Sequence, residues 1–387
     1  MSVLNIDRPD CLNEEGIAIF RESVRKFLDQ HAPESRAARW REKGVVDRPM
    51  WTEAADAGLL CLSISEQYGG AGGDYRHEVV LSEEIAKRGL GDFAISLHNA
   101  IVAPYIVNYG SEEQKKNWLP RMASGELVSA IAMSEPGAGS DLQGVRTTAR
   151  REGNHYLISG QKTFISNGQT ADIVVVVAKT DPALGAKGIS LIVVETKDAR
   201  GFQRGRNLGK LGLEGQDTSE LFFDDVRVPT ANLLGAEEGL GFVQLMQQLP
   251  QERLNIAVGG AAVIERALEL TIAYVKERKA FGGRLIDFQN TQFKLAECKT
   301  EATVARVFVD RLIGLHLEGK LDAPTASMAK YWVTDLENKI VDECLQLFGG
   351  YGYMSEYPIS HMYRDSRVQR IYGGANEIMK VLIARTL

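Results

Sequence analysis

Two acids stand where their surroundings would let them do chemistry. Glu252 lies in "LPQERL", at the head of a long helical pattern, and Glu377 follows the double glycine of "IYGGANEIMK". A carboxylate at either place can accept a proton from a bound molecule. Glu252 has an ordinary reading as well. Pro250 suits the first turn of a helix, and an acid there meets the helix dipole favourably. No acid, base or nucleophile lies between Tyr372 and Asn376, so the turn Gly373-Gly374 brings only backbone groups.

Four other stretches carry residues suited to binding. "MSEPGAGSDLQG" (Met133 to Gly144) forces tight backbone and exposes N–H groups that can face a ring edge or a pyrophosphate. An ordinary hairpin-rich loop has the same composition. "KTFISNG" alternates like a strand and puts Phe164 and Ser166 on one face, an aromatic and a hydroxyl for one side of a planar ring. A plain pair of sheet residues fits equally. "KERKAFGGRL" offers Arg278 for a phosphate and Phe281 for stacking, with Gln289 and Gln292 following. A cation at a helix C-terminus needs no ligand to explain it. "QLFGGYGY" reads first as a helix closed by a glycine cap.

The elements that must position these residues fall into three zones, an α+β arrangement. Residues 1–127 read as an N-terminal α-helical domain. Asn13 is placed to cap a helix with Ile17, Phe20, Val24, Phe27 and Leu28 on one face, and "SEEIAKRGL" and "SEEQKKNWLPRM" start with capping signals. "EQYGGAGGD" reads as a connecting loop. Residues 128–232 hold short runs rich in β-branched and aromatic residues, such as "HYLISGQKTFISN", "ADIVVVVAKT", "GISLIVVET" and "SELFFDDVRVP". They predict a middle β-barrel or sandwich domain. Residues 233–387 return to the helical period and predict a C-terminal four-helix bundle, with a helix opening at "LPQERL".

Bulk properties narrow the function classes. The chain has 387 residues, 44% hydrophobic and 25% charged, ordinary values for a globular protein. A net charge of -6 argues against a nucleic-acid binder. The four cysteines lie far apart and the six histidines do not cluster, so no metal site is expected. No apolar run is long enough for a membrane span. The N-terminus has neither signal-peptide nor transit-peptide character, and a cytoplasmic location is expected.

In their order, "AMSEPGAGSDLQG", "FISNG", "ERKAFG", "QLFGGYGY" and "IYGGANEI" resemble the acyl-CoA dehydrogenase family across nearly the whole chain, most closely its long-chain type. The resemblance implies bound FAD. Ile131, Met133, Ser134, Gly139 and Ser140, together with Phe164, Ile165 and Ser166, would border its ring, and Ser140 would also touch CoA. Arg278, Phe281, Gln289, Gln292, Gln346, Gly349 and Gly350 would reach FAD phosphate and adenine across a subunit boundary. Ala375, Asn376 and Glu377 would lie against FAD near the turn.

The reaction implied is α,β-dehydrogenation of an acyl-CoA thioester. Most of the family carries the catalytic glutamate in the turn, where this chain has Gly373. A minority carries it in the equivalent of "LPQERL", which maps the base to Glu252. The N–H of Gly373 would then face the thioester oxygen. Pro250, Gln251, Arg253, Gly373 and Gly374 would contact substrate, with Arg253 toward the CoA phosphates. The missing side chain at Gly373 would leave room for long or branched acyl groups, in a pocket lined by "SLHNAIVAPYI" with a kink at Pro104. Glu377 is the rival carboxylate. The resemblance further implies a homotetramer and an electron-transfer flavoprotein as partner. An oxidase of the same fold and a non-catalytic flavin or acyl-CoA binder are the alternatives.

Overall fold

A computed structural model describes residues 3–387. The N-terminal zone holds helices α1 (Asp10–Asn13), α2 (Glu15–His31), α3 (Glu34–Lys43), α4 (Arg48–Asp56), α5 (Tyr75–Lys87), α6 (Ala103–Tyr109) and α7 (Glu112–Ala123). Capping differs from expectation at two places. Asn13 closes α1 and donates to Arg8 O, and α2 begins with no side-chain cap. Helix α5 starts seven residues before Ser82, at the Asp74 cap, because Asp74 and His77 form a reciprocal capping box. Ser111 and Gln114 do cap α7 in the expected way.

Before α6 the chain forms a π-helical turn, Leu97–Val102, in which the Ala103 N–H donates to His98 O. The bend in "SLHNAIVAPYI" is therefore the π turn itself, and Pro104 sits in the first turn of α6, where its lack of an N–H is tolerated.

The middle zone is an eight-stranded sheet: β1 (Ser129–Ala132), β2 (Thr148–Glu152), β3 (His155–Ser166), β4 (Ile173–Lys179), β5 (Ile189–Glu195), β6 (Phe202–Asn207), β7 (Thr218–Pro229) and β8 (Leu233–Leu234). The order is β6-β7-β3-β2-β4-β5-β8, with β1 parallel to β4. The sheet runs two residues past position 232, since Leu234 pairs with Leu191. Strand β4 explains its own unbroken apolar run. Val174, Val176 and Ala178 enter the core of the sheet domain, while Ile173, Val175 and Val177 pack on the helical side with Val102, Tyr105 and Leu245. A strand covered on both faces loses the usual polar alternation.

The last zone is built on three long helices, α8 (Gly241–Glu277), α9 (Gln289–Leu317) and α10 (Ala323–Phe348), closed by α11 (Pro358–Ser366) and α12 (Asn376–Ala384). A two-stranded ribbon, β9 (Lys279–Ala280) and β10 (Gly283–Arg284), joins α8 to α9. Helix α8 packs on α5, α9 and α10, so its apolar residues Leu254, Val258, Ala261, Leu268 and Val275 are all buried.

A buried ionic network ties the N-terminal zone to this bundle. Arg306 of α9 donates to Glu83 of α5 at 2.8 Å and to Glu265 of α8 at 2.6 Å. Arg8 reaches Glu83 and Asp310, and Arg21 reaches Glu83 and Glu84. Burial alone would push the Glu83 carboxyl up, but the charges of Arg8, Arg306, Arg21 and Lys87 hold it well below the usual carboxylate range. Removing one member leaves its partners charged and unpaired in a low dielectric. Arg306→Met is expected to cost about 3–5 kcal/mol. A carboxyl with a depressed folded pKa stabilises above the unfolded value of about 4.3 and loses that contribution as pH falls further. The melting temperatures of wild type and Arg306→Met should therefore differ most at neutral pH and converge in acid.

Candidate active site

Helix α8 begins at Gly241, eleven residues before Glu252. Pro250 thus lies inside the helix, and Glu252 is beyond the reach of the helix N-terminal dipole, which fades after the first turn. Its environment is set by packing instead. Glu252 is 5% exposed, and burial pushes its carboxyl up to about 7. A hydrogen bond from Tyr105 and the charge of Arg253 pull the other way. Tyr105 Oη donates to Glu252 Oε1 at 2.8 Å. A carboxyl poised near neutrality in an apolar enclosure suits a general base.

The turn lies alongside. Gly373 and Gly374 have φ of +64° and +94°, conformations that only glycine adopts without strain. A Cβ on Gly373 would run into Ile256 Cδ1, one helical turn past Glu252. The space left by the missing side chain is therefore filled from α8, and the open room expected at Gly373 does not exist in this form. Lys330 of α10 pins the turn from behind, donating to Gly374 O at 2.7 Å and to Asn376 Oδ1 at 2.9 Å. Burial, and then the charge of Arg253, push its ammonium down to about 8.

Several expected contacts change role. Asn376 is buried and spends its amide on Tyr331 O, Thr334 Oγ1 and Asp335 Oδ1. Its side chain anchors the turn to α10. Gln251 Nε2 donates to Ala100 O at 2.7 Å, so its amide is engaged within the protein. Arg253 is enclosed beside Gly374, with Nη1 on Ser327 Oγ at 3.3 Å and Nε unpartnered. That enclosure does not suit a contact with the CoA phosphates. Ile165 points into the core of the sheet domain. Glu377 is exposed in the first turn of α12, outside the enclosure around Glu252.

The sheet-domain residues form a separate platform. Phe164 is 69% exposed and has φ +60°, at a register shift between Lys162 and Ile165 in the β3–β7 pair. A large aromatic held outward in a strained conformation is a feature that packing does not require. Ser166 and Ser134 are partly exposed near it, since Thr163 N donates to Ser134 O, while Gly139 and Ser140 are exposed on the loop. The loop is held by Lys162, which donates to Met133 O and to Glu135 Oε1. Ile131 and Met133 pack against the same apolar cluster as Leu97, Ile101 and Tyr105, which links the platform to the enclosure of Glu252. An exposed aromatic face with hydroxyls and free loop backbone fits the ring of a flavin.

Arg278, Phe281, Gln289, Gln292, Gln346, Gly349 and Gly350 gather at the other end of the bundle and are exposed, Phe281 at 97%. Arg278 lies over the Tyr351 ring, 5.4 Å from its centroid. At 1.5 Å per residue, Arg278 stands about 39 Å along α8 from Glu252. The structure thus brings together Glu252, Gly373 and Gly374, with Ala375 beside them, and keeps the Arg278 group apart. Tyr105, Lys330 and Ile256 are the neighbours that motif reading missed. Lys330 and Ile256 sit on plain helical patterns with no local signal, and Tyr105 offered only its place in the segment expected to line the pocket.

The turn yields a specific expectation. Gly373→Ala should lower the melting temperature and weaken flavin retention, from the Ile256 contact and from a φ cost of about 1–2 kcal/mol. Adding Ile256→Ala should relieve the contact and leave the φ cost, so the double variant should recover only part of the loss.

Comparison with known proteins agrees with this geometry. The acyl-CoA dehydrogenase N-terminal domain family matches residues 14–126, the middle domain family 130–226 and the C-terminal domain family 239–387. The long-chain specific acyl-CoA dehydrogenase of Sus scrofa is 51% identical over 95% of this chain and 86% of its own. The crystal structure of an acyl-CoA dehydrogenase from Geobacillus kaustophilus superposes with a TM-score of 0.94 at 49% identity, covering 96% of this chain and 98% of that one. A glutaryl-CoA dehydrogenase from Mycobacterium smegmatis, solved in complex with FADH2, gives a TM-score of 0.89 at 30% identity over 97% and 95% of the two chains. With all three domains matched in order and half of its residues shared with a long-chain enzyme, the chain belongs to the acyl-CoA dehydrogenase family.

Proposed function

We propose that this protein converts a long or branched acyl-CoA thioester to its trans-2-enoyl-CoA, with Glu252 as the base, FAD as cofactor and an electron-transfer flavoprotein as the partner that takes the electrons onward. The observation that carries this reading is the buried carboxyl of Glu252, raised to about 7 and placed beside the Gly373-Gly374 turn.

FAD would be held by the Phe164 platform and the Met133 to Ser140 loop. Bound FAD would supply the acceptor for the hydride of the β-carbon. Glu252 takes the α-proton. The developing enolate oxygen needs a donor, and the Gly373 N–H is the available backbone group. Lys330 and Asn376 hold that turn in place, so the donor is preorganised. Burial keeps water away from the base until substrate arrives.

The Arg278 group stands about 39 Å along α8 from Glu252, the base beside which the reacting flavin ring would lie. That separation supports FAD sites shared between subunits, and with it a homotetramer. No described helix is long and apolar enough to cross a membrane.

Anaerobic addition of acyl-CoAs of graded length to the FAD-loaded protein tests the reading. Wild type should bleach the flavin with at least one long or branched acyl-CoA. Glu252→Gln should keep its FAD and lose bleaching by several orders of magnitude. Bleaching that survives in Glu252→Gln would move the base elsewhere, and rapid recovery in air would point to an oxidase.

A further inference from the structure

The hydroxyl of Tyr105 and the carboxyl of Glu252 meet through a chain of causes that begins with Pro104. A proline inside a helix leaves the carbonyl four residues before it without its usual donor. Here that carbonyl is Ala100 O, and Gln251 Nε2 supplies the missing hydrogen bond. The π turn Leu97–Val102 adds a residue to the helical register, which rotates everything after it by about 100°. Tyr105, the residue after Pro104, then faces α8 and bonds to Glu252, the residue after Gln251. Two consecutive residues of α8 are gripped by one irregular segment.

We propose that Tyr105 is a positioning residue for the base: its hydroxyl fixes one carboxylate oxygen of Glu252 and favours the ionised form, leaving the other oxygen to take the proton. The inference rests on Glu252 being the base. Oε1 accepts from Tyr105, and among the described residues Oε2 accepts no hydrogen bond. Tyr105 is fully buried, so the bond is made where the dielectric is low and a donor on a carboxylate counts most. The charged and titratable groups facing Glu252 are Tyr105 from α6 and Arg253 from α8 itself. Behind them stand Tyr109 and the Lys330 ammonium. The Tyr105 phenol is held well above its ordinary range, first by burial, so it remains a donor throughout the working pH range. Arg253 acts only through its charge, which leaves Tyr105 as the one hydrogen-bond donor to the base among the described residues.

The test compares flavin reduction by acyl-CoA in a stopped-flow instrument across pH 5.5 to 9.5, for FAD-loaded wild type and Tyr105→Phe. Losing a donor to a buried carboxylate should move the acid limb of the rate profile up by about one unit. The rate at pH 7 should fall about fivefold and recover toward wild type at high pH. An unshifted limb, or an equal loss at every pH, would show that Tyr105 only packs and would overturn the proposal. Difluorotyrosine at position 105 is a stronger donor and should move the limb down, which guards against a variant that merely folds poorly. Infrared titration of the protonated carboxyl band, with Glu252→Gln as the subtraction reference, reads the same shift without turnover. A band that titrates alike in wild type and Tyr105→Phe would overturn the proposal on its own. Failure of wild type to bleach with every acyl-CoA would instead count against the proposed reaction.

Discussion

A carboxylate moved out of water costs several kcal/mol unless hydrogen bonds or charges replace its hydration. The arrangement around Glu252 follows from that cost. Full solvation would leave the group a weak base, and full isolation would leave it protonated and useless as a base. Burial on α8 raises it, Tyr105 and Arg253 restrain the rise, and the result lies near neutrality. The irregularities nearby serve this balance. The π turn sets the phase of α6, Pro104 frees the carbonyl that Gln251 caps, and Ile256 fills the space that a glycine turn would otherwise leave open.

The turn has the opposite design. It carries no reactive side chain, and its value lies in two glycines at positive φ that bring backbone close to the base. Such a conformation is stable only when its surroundings hold it. Lys330 of α10 donates to Gly374 O, and Asn376, at the start of α12, donates back to α10. A cation pushed down to about 8, first by burial, is a demanding anchor, since its charge is held away from water. The ionic network around Arg306 plays the same part on a larger scale, keeping α5 and the N-terminal segment against the helices that carry the site.

Much of the architecture was legible before folding was considered. Runs rich in β-branched and aromatic residues marked β3, β4, β5 and β7, and long 3.6-period patterns marked α8, α9 and α10. Short strands such as β1 and β8 were not separately visible, because four residues and two residues carry too little pattern. Helix starts were read less well. "LPQERL" resembled a helix start because Pro favours the first turn, yet the preceding residues also form helix, and packing against the sheet domain lets α8 run through the proline.

The sequence by itself determined that an acid exists at Glu252, that none exists between Tyr372 and Asn376, and that the turn there is built on two glycines. These are facts of residue type, and residue type is what motifs carry. Tertiary structure decided which expected groups are free to act. It turned Asn376 and Gln251 inward, enclosed Arg253, left Glu377 in solvent and brought Tyr105 to the base. It also separated the Arg278 group from Glu252 along the bundle. None of this follows from local pattern, because each outcome depends on which helix face meets which neighbour, and a single extra residue in a π turn rotates that face.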